Sequence, residues 1–95
     1  MPKRLTLTES QVRLISKALS DPRRHEILQQ LGERSCAVAC SAVRESQTIS
    51  AATLSHHMKE LETAGLISVV RKGKFAELTL QRDVMKAYIA YLKSI

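Results

Sequence analysis

Aromatic residues are scarce in this 95-residue sequence, which has one Phe, two Tyr and no Trp. A surface that binds single-stranded nucleic acid needs aromatic faces on which bases stack, so the composition argues against that mode of binding. No apolar run approaches the ~20 residues of a membrane span. The first ten residues, MPKRLTLTES, start basic but lack the apolar stretch of a secretory signal. We therefore expect a cytoplasmic protein with no membrane contact.

Cysteine is also rare, and the two thiols, Cys36 and Cys40, are expected to be free in a reducing compartment. Their spacing predicts that they share one face of a helix, about 6 Å apart. Two thiolates can share a thiophilic ion, but a structural zinc site takes four ligands. The sequence predicts no resident metal or cofactor. Three interpretations of the thiols stay open: structural residues, a redox or electrophile sensor, or a site for a metal or arsenic.

Positive charge is what the sequence does have. The formal net charge is +6 and the pI is about 9.8, which favours a polyanionic partner and, with so few aromatics, double-stranded nucleic acid. The alternative is a mildly basic protein without such a partner. The length predicts one domain over residues 1–95, and its small core would gain stability from a second copy.

Three helices are predicted in the first half of the chain, after an irregular lead-in over residues 1–7. The residues predicted to start them are Thr8 with Gln11 in a capping box, Asp21 followed by Pro22, and Ser35. They are predicted to end near Ser20, at Gly32 and near Glu45.

A fourth helix is predicted within residues 49–66, with Ser50 as its N-cap and Gly65 just after its end. Its apolar stripe is Leu54, Met58 and Leu61. Its opposite face is Ala52, Ser55, His56, Lys59 and Thr63. That face is small, polar and weakly basic, so it can lie close to an anionic surface. Together with the helix before it and a turn at Gln47 and Thr48, it forms a helix-turn-helix pattern.

The end of the chain is predicted to be a β-hairpin and a last helix. The strands are residues 66–70 and 75–80, around the turn Arg71-Lys72-Gly73-Lys74. Asp83 is predicted to cap a helix that runs to about Lys93.

Two basic clusters each admit two interpretations. The positive charges at the hairpin tip repel one another, so they are either solvated or in contact with phosphates. Arg23 and Arg24 open a helix, against the preference for acids there. They are either a solvated pair with an intramolecular carboxylate partner or phosphate contacts.

The first and last helices carry broad apolar faces, which usually mark a partner surface. We interpret them as a homodimer interface, although they could instead close the core of one protomer. The predicted interface residues are Val12, Ile15, Leu19, Val84, Tyr88, Tyr91 and Leu92.

Three segments together resemble the ArsR family of dimeric bacterial repressors. ALSDPRRHEILQQL at 18–31 is similar to the family's second-helix motif, ISAATLSHHMKELETAGLI at 49–67 to its recognition helix, and RKGKFAELTL at 71–80 to its wing. The resemblance implies a fold that is mainly α with a small β-hairpin wing: a winged helix-turn-helix of about five helices and two strands, with terminal dimerisation helices.

The resemblance also implies a homodimeric repressor that binds a palindromic DNA operator and is released by an effector. A two-fold dimer presents two recognition helices, so the half-sites should lie about 34 Å apart or a multiple of that. The residues expected to contact DNA are Ser50, Ala52, Thr53, Ser55, His56 and Lys59 on the helix, and Arg71, Lys72 and Lys74 on the wing. His57, near the apolar stripe, is expected to be partly buried and hydrogen-bonded.

The sequence departs from the family at its effector sites. A common site uses Cys-x-Cys at the third helix, whereas Cys36 and Cys40 are four residues apart. Another uses His and carboxylates on the last helix, which here has only Asp83. One alternative function is a winged-helix interaction module that docks an acidic protein partner. An enzyme is not expected, because Ser55 and His56 are helix neighbours that point apart.

Overall fold

A computed structural model describes residues 6–95, so most of the lead-in predicted for residues 1–7 lies outside the described part of the chain. Over residues 6–95 the chain forms five helices and three strands. In order these are α1 (Glu9–Ala18), α2 (Pro22–Gly32), β1 (Val38–Ala39), α3 (Cys40–Gln47), α4 (Ala51–Thr63), β2 (Ile67–Lys72), β3 (Phe75–Leu80) and α5 (Arg82–Lys93). The predicted fold class is confirmed, with one strand more than expected.

The first two helices begin where the sequence predicts, at side chains that accept backbone N–H groups. Thr8 Oγ1 accepts from the N–H of Gln11 at 3.2 Å, and Gln11 Oε1 accepts from the N–H of Thr8 at 2.8 Å. These are the two halves of a capping box. Asp21 Oδ1 accepts from the N–H of Arg23 at 2.8 Å, and this bond is the main reason that the pKa of the Asp21 carboxyl is lowered.

The predicted start of the third helix is wrong. α3 begins at Cys40 rather than after Ser35, because the residues just before it form β1 and pair with β3, where Val38 lies opposite Leu78. The edge of β3 offers hydrogen bonds to this alanine-rich segment, and such a long-range partner outweighs a weak local preference. Cys36 therefore lies in the loop before β1 and does not share a helix with Cys40.

α4 begins and ends at the predicted residues. Ser50 Oγ accepts from the N–H of Thr53 at 3.1 Å. Gly65 follows the helix with φ of 79°, the left-handed conformation that glycine favours at this position. Thr48 also has a positive φ, 53°, and makes the sharp turn between α3 and α4. The buried residues of α4 are Leu54, His57, Met58 and Leu61.

The hairpin is confirmed, but its turn is shorter than predicted, because Arg71 and Lys72 belong to β2 and pair with β3. It forms the larger part of a three-stranded antiparallel sheet in the order β1-β3-β2. Its register runs from Ile67 opposite Leu80 to Lys72 opposite Phe75. The turn between the strands needs a left-handed residue, which Gly73 supplies with φ of 61°.

α5 runs to Lys93 as predicted, but its N-cap is Gln81 rather than Asp83. The first turn begins earlier because β3 ends at Leu80 and the N–H of Gln81 donates to the carbonyl of Leu66 at 2.8 Å. Asp83 lies inside the first turn, where the positive end of the helix dipole stabilises a carboxylate.

The core lies between the helices and one face of the sheet. Its buried apolar residues are Ile15, Ala18, Ile27, Leu28, Leu31, Val43, Leu54, Met58, Leu61, Ala64, Leu66, Ile67, Leu78 and Tyr88. α4 contributes three of these side chains, so its position is fixed from behind while its other side stays exposed. No helix within residues 6–95 is long and apolar enough to cross a membrane.

Candidate nucleic-acid interface

The outer face of α4 is exposed along its length. The exposed side chains include all the residues predicted for this face, and Thr53, which was predicted to contact DNA: Ala52, Thr53, Ser55, His56, Lys59 and Thr63. Ser50 is exposed but engaged, because its Oγ caps the helix and also donates to Thr53 Oγ1 at 2.9 Å. The start of this face therefore carries small side chains, and a histidine and a lysine follow further along. A helix with such a start can approach a polar surface closely.

The wing carries three exposed cations, Arg71, Lys72 and Lys74. One of them has an internal partner: Lys72 Nζ lies 2.9 Å from Glu77 Oε1, and the hydrogen bond and charge of Glu77 raise the pKa of Lys72. The expectation of three mutually repelling charges without a counter-charge is therefore corrected. Arg71 and Lys74 form no ion pair with any carboxylate of residues 6–95.

A groove of about 1030 Å³ separates the wing from α3 and the start of α4. Its walls carry four cations, Arg44, Arg71, Lys72 and Lys74, and two carboxylates, Glu45 and Glu77. Arg44 was missed at the sequence level. The feature of the sequence that could have identified Arg44 is its position on the first helix of the helix-turn-helix pattern, one turn after Cys40. The groove gives this face a concave, positively charged surface of the kind that accepts a polyanion.

The two cysteines differ in their surroundings, which corrects the prediction that they share a helix face. Cys40 is half-buried in the wall of the groove, with Sγ 3.5 Å from Met58 Sδ on α4. Cys36 is exposed in its loop. Within residues 6–95 no three His, Cys, Asp or Glu side chains are grouped so that they could hold a metal ion.

Behind α4 lies a buried arginine. Arg24 is only 7% exposed, and its Nε donates to the carbonyl of Ala18 at 2.6 Å. Asp21 Oδ2 is 4.0 Å from its Nη1, so the expected carboxylate partner exists, but the side chain is neither solvated nor free to contact phosphate. Arg23 is also engaged, since its Nη1 donates to the carbonyl of Gln47 at 2.8 Å. Both interpretations are corrected for Arg24, whereas Arg23 is exposed and both stay open for it.

His57 is buried, as predicted, and its Nδ1 lies 3.3 Å from Arg24 Nη1. A guanidinium can only donate, so Nδ1 is the unprotonated acceptor and the imidazole is neutral. Burial is the largest cause that lowers the pKa of His57; Asp21 acts in the opposite direction, and Arg24 adds to the lowering.

The outer faces of α1 and α5 leave large apolar side chains exposed. These are Leu14 on α1 and Ile89, Tyr91 and Leu92 on α5, and Ile95 is exposed just after the end of α5. The two helices are joined by a hydrogen bond of 2.9 Å between Ser16 Oγ and Tyr88 Oη.

The predicted interface residues divide into three groups by exposure. Tyr91 and Leu92 are exposed, and Val12, Leu19 and Val84 are half-buried. Ile15 and Tyr88 are buried in the protomer, so their assignment to an interface is corrected: the core of the protomer already uses their apolar surface.

Comparison with known proteins agrees with this arrangement. Residues 19–70 match a family model described as a helix-turn-helix domain. The chain is 33% identical over 78 residues to the transcriptional repressor SdpR of Bacillus subtilis (strain 168), an alignment that covers 82% of this chain and 84% of the relative. The chain is therefore a DNA-binding regulator rather than an enzyme.

Solved structures are similar in fold. The crystal structure of an ArsR family transcriptional regulator matches with a TM-score of 0.83 at 21% identity, over 95% of this chain and 91% of the other. A homodimeric winged helix-turn-helix domain from Mycobacterium bovis, described as a possible ArsR-family regulator, matches with a TM-score of 0.72 at 24% identity, over 90% and 78%. The chain has an exposed α4, which is the second helix of the helix-turn-helix, and a hairpin wing, and it is similar to these proteins. It therefore belongs to the ArsR family of winged helix-turn-helix transcriptional regulators.

Proposed function

We propose that the protein is a homodimeric repressor of the cytoplasm, one domain over residues 1–95, that binds a palindromic operator and releases it in response to an effector. The observation that carries the proposal is the exposed polar face of α4 beside a groove walled by four cations. Support for repression comes from SdpR, which is described as a repressor. Support for a dimer comes from the Mycobacterium bovis domain, which is described as homodimeric.

In this proposal α4 enters the major groove and reads base edges. The small side chains Ala52 and Thr53 let the start of the helix approach the bases closely, while Ser55, His56 and Lys59 offer hydrogen-bonding groups at greater reach. Ser50 holds the first turn in place as its cap. Base contacts of this kind specify the sequence, whereas phosphate contacts position the protein.

The wing and α3 would hold the DNA backbone. Arg71 and Lys74 lack an internal partner within residues 6–95, so a phosphate can replace water around them without breaking an existing ion pair. Lys72 would contribute less because Glu77 already neutralises part of its charge. We add Arg44 to the proposed backbone contacts, since it lies in the wall of the same groove.

Replacing Ser55 with Ala or His56 with Gln should change which sequence the protein prefers more than how tightly it binds DNA in general. Each removes a group that can contact a base edge, and one such contact is worth about 1–3 kcal/mol of discrimination. The measurement is selection of duplexes from a random pool with each variant and with wild type. Unchanged preferred sequences for both variants would contradict the assignment of this face.

A thiol-reactive signal is expected to act through Cys40 rather than Cys36. A bulky group on Cys40 Sγ would press on Met58, 3.5 Å away on α4, whereas Cys36 lies in an exposed loop. The measurement is a promoter-fragment gel shift titrated with oxidant, Zn²⁺ and arsenite. Cys40→Ser should resist release, and the matched control Cys36→Ser should behave as wild type.

Two outcomes of this titration would count against the expectation. Release that persists in Cys40→Ser would place the effector site elsewhere. No response of the wild-type protein to any of the three agents would make Cys40 a structural thiol.

A further inference from the structure

The side chain of Arg24 connects three helices. It starts on α2, donates from Nε to the carbonyl of Ala18 at 2.6 Å and from Nη2 to the carbonyl of Lys17 at 3.3 Å, and lies 3.3 Å from His57 on α4 through Nη1. The two carbonyls belong to the last turn of α1, which carries the negative end of the helix dipole. The carbonyl of Lys17 also accepts from Ser20 Oγ at 2.6 Å. Arg24 therefore closes the end of α1 and touches the back of α4 with the same planar group.

A buried charge of this kind is retained only where its donors are satisfied. All three guanidinium nitrogens of Arg24 have an acceptor at 3.3 Å or less. The acceptor on α4 is the buried ring of His57. The preceding residue, His56, lies on the exposed face of the same helix. A shift in this contact would therefore move the DNA-facing side of the helix.

We propose that Arg24 and His57 form a positioning pair, which transmits the placement of α1 to the DNA-reading helix and does so only while His57 is neutral. The proposal rests on the proposed role of α4 in reading DNA. It makes neither residue a DNA contact, since both are buried behind the helix.

The charges around His57 decide what protonation would do. On the side of α2 they are Asp21, Arg23 and Arg24, and on α4 the neighbour is His56. From α1, Lys17 Nζ lies 3.9 Å from Glu60 Oε2 of α4. Protonation would remove the acceptor lone pair at Nδ1 and leave an imidazolium against a guanidinium. Asp21, 4.0 Å from Arg24, is the one carboxylate among these groups that also acts on His57, and it cannot neutralise both cations.

The direction of the pH dependence follows from this arrangement. Burial lowers the pKa of His57 from 6.5, so the unfolded chain binds this proton more readily than the folded one. The contact is complete at neutral pH, and its contribution is lost as the pH falls below 6.5. His56 is a second imidazole, exposed on the DNA face of the same helix. The two histidines must therefore be separated in any test.

The experiment compares His56→Gln with His56→Gln/His57→Gln by fluorescence anisotropy on one duplex, from about pH 7.5 to about pH 5.5. The glutamine that replaces His57 in the double variant keeps an amide oxygen that can accept from Arg24 but does not titrate. We expect His56→Gln to lose affinity on acidification by a factor that is measurable but below about tenfold, because one proton whose pKa lies below 6.5 cannot change affinity more over this range, and the double variant to lose much less. Equal losses in the two proteins would overturn the proposal.

A second readout does not need DNA. The protection factors of the α4 amides, which are exchange rates corrected for the intrinsic pH dependence of amide exchange, should fall at low pH in His56→Gln and stay constant in the double variant, while those of the sheet stay unchanged in both. An Arg24→Lys variant should resemble acidified protein at neutral pH, because an ammonium lacks the planar fork. If no variant binds duplexes but α4 exchange shows this pattern, the DNA-reading role fails and the pair stands. If the α4 protection factors do not change with pH, with Arg24→Lys or with His57→Gln, the pair itself fails.

Discussion

At about 0.15 M salt, a protein in which both Arg71 and Lys74 are replaced with Ala is expected to bind every duplex about 30-fold more weakly than wild type. Each phosphate contact releases about 0.9 counterion from duplex DNA, and the loss of two contacts removes that gain twice. The slope of log affinity against log salt should become less steep by about 2. The measurement is a series of anisotropy titrations at increasing salt on an operator and on a scrambled duplex.

The control for this prediction is a variant with the same change in net charge at a different place. Lys86 and Lys93 are exposed on α5, so Lys86→Ala/Lys93→Ala removes two positive charges away from the wing. This control should bind nearly as well as wild type. If both double variants lose affinity equally, general charge rather than the wing holds the DNA. Lys72→Ala alone should weaken binding less than Arg71→Ala or Lys74→Ala alone, because Lys72 is already paired with Glu77.

Replacing Leu92 with Lys is expected to convert the dimer to a monomer and to weaken binding to a full inverted repeat about 100-fold or more. Leu92 is 48% exposed on α5, within the apolar face that we assign to a second copy. A lysine there would place a charge within the apolar face that the proposed dimer buries. Loss of the dimer makes the two half-sites bind independently, so the gain from tethering disappears. Sedimentation measures the oligomeric state, and anisotropy measures the affinity.

The added positive charge makes this a stringent test, because by itself it would favour DNA. Val70→Lys provides the matched control: Val70 is an apolar residue 51% exposed on β2, and its cross-strand neighbour is Glu77. It should leave the dimer intact. A Leu92→Lys protein that sediments as a dimer, or a monomer with unchanged affinity for the inverted repeat, would contradict the proposed interface.

Local signals explain what the sequence could predict. Thr8, Asp21 and Ser50 each cap a helix through a side chain that reaches a backbone N–H two or three residues away, so the information lies within one turn. The hairpin was likewise visible in the β-branched and aliphatic residues of 66–70 and 75–80 on either side of Gly73. The exposed face of α4 followed from helical periodicity, because the buried stripe fixes which side remains outside.

Contacts between residues far apart in the chain explain what the sequence could not predict. α3 begins at Cys40 because β1 finds its partner on β3, where Val38 lies opposite Leu78, and nothing near Val38 in the sequence signals that edge. Arg24 looked like a surface residue because its acceptors lie on α1 and α4. Ion pairing at the wing was missed for a related reason: Lys72 and Glu77 meet only when the hairpin register is known.

The apolar helices show a third kind of difference. Periodicity identified apolar positions on α1 and α5, but it could not divide them between the core and a partner surface. Ile15 and Tyr88 are taken up by the core, while Tyr91 and Leu92 remain exposed. The proposed interface is therefore narrower than the sequence predicted and lies further toward the end of α5.

The central claim, that a dimer reads a two-fold DNA site through α4, is tested most directly by one affinity ratio. Duplexes are selected from a random pool with the wild-type protein, and the dissociation constants of the selected duplex and of a scrambled duplex are compared at about 0.15 M salt. We predict an inverted repeat with half-sites about 34 Å apart or a multiple of that, bound about 1,000-fold or more tightly than the scrambled duplex. Equal affinity for the two duplexes, or enrichment of an unrepeated site, would contradict the claim.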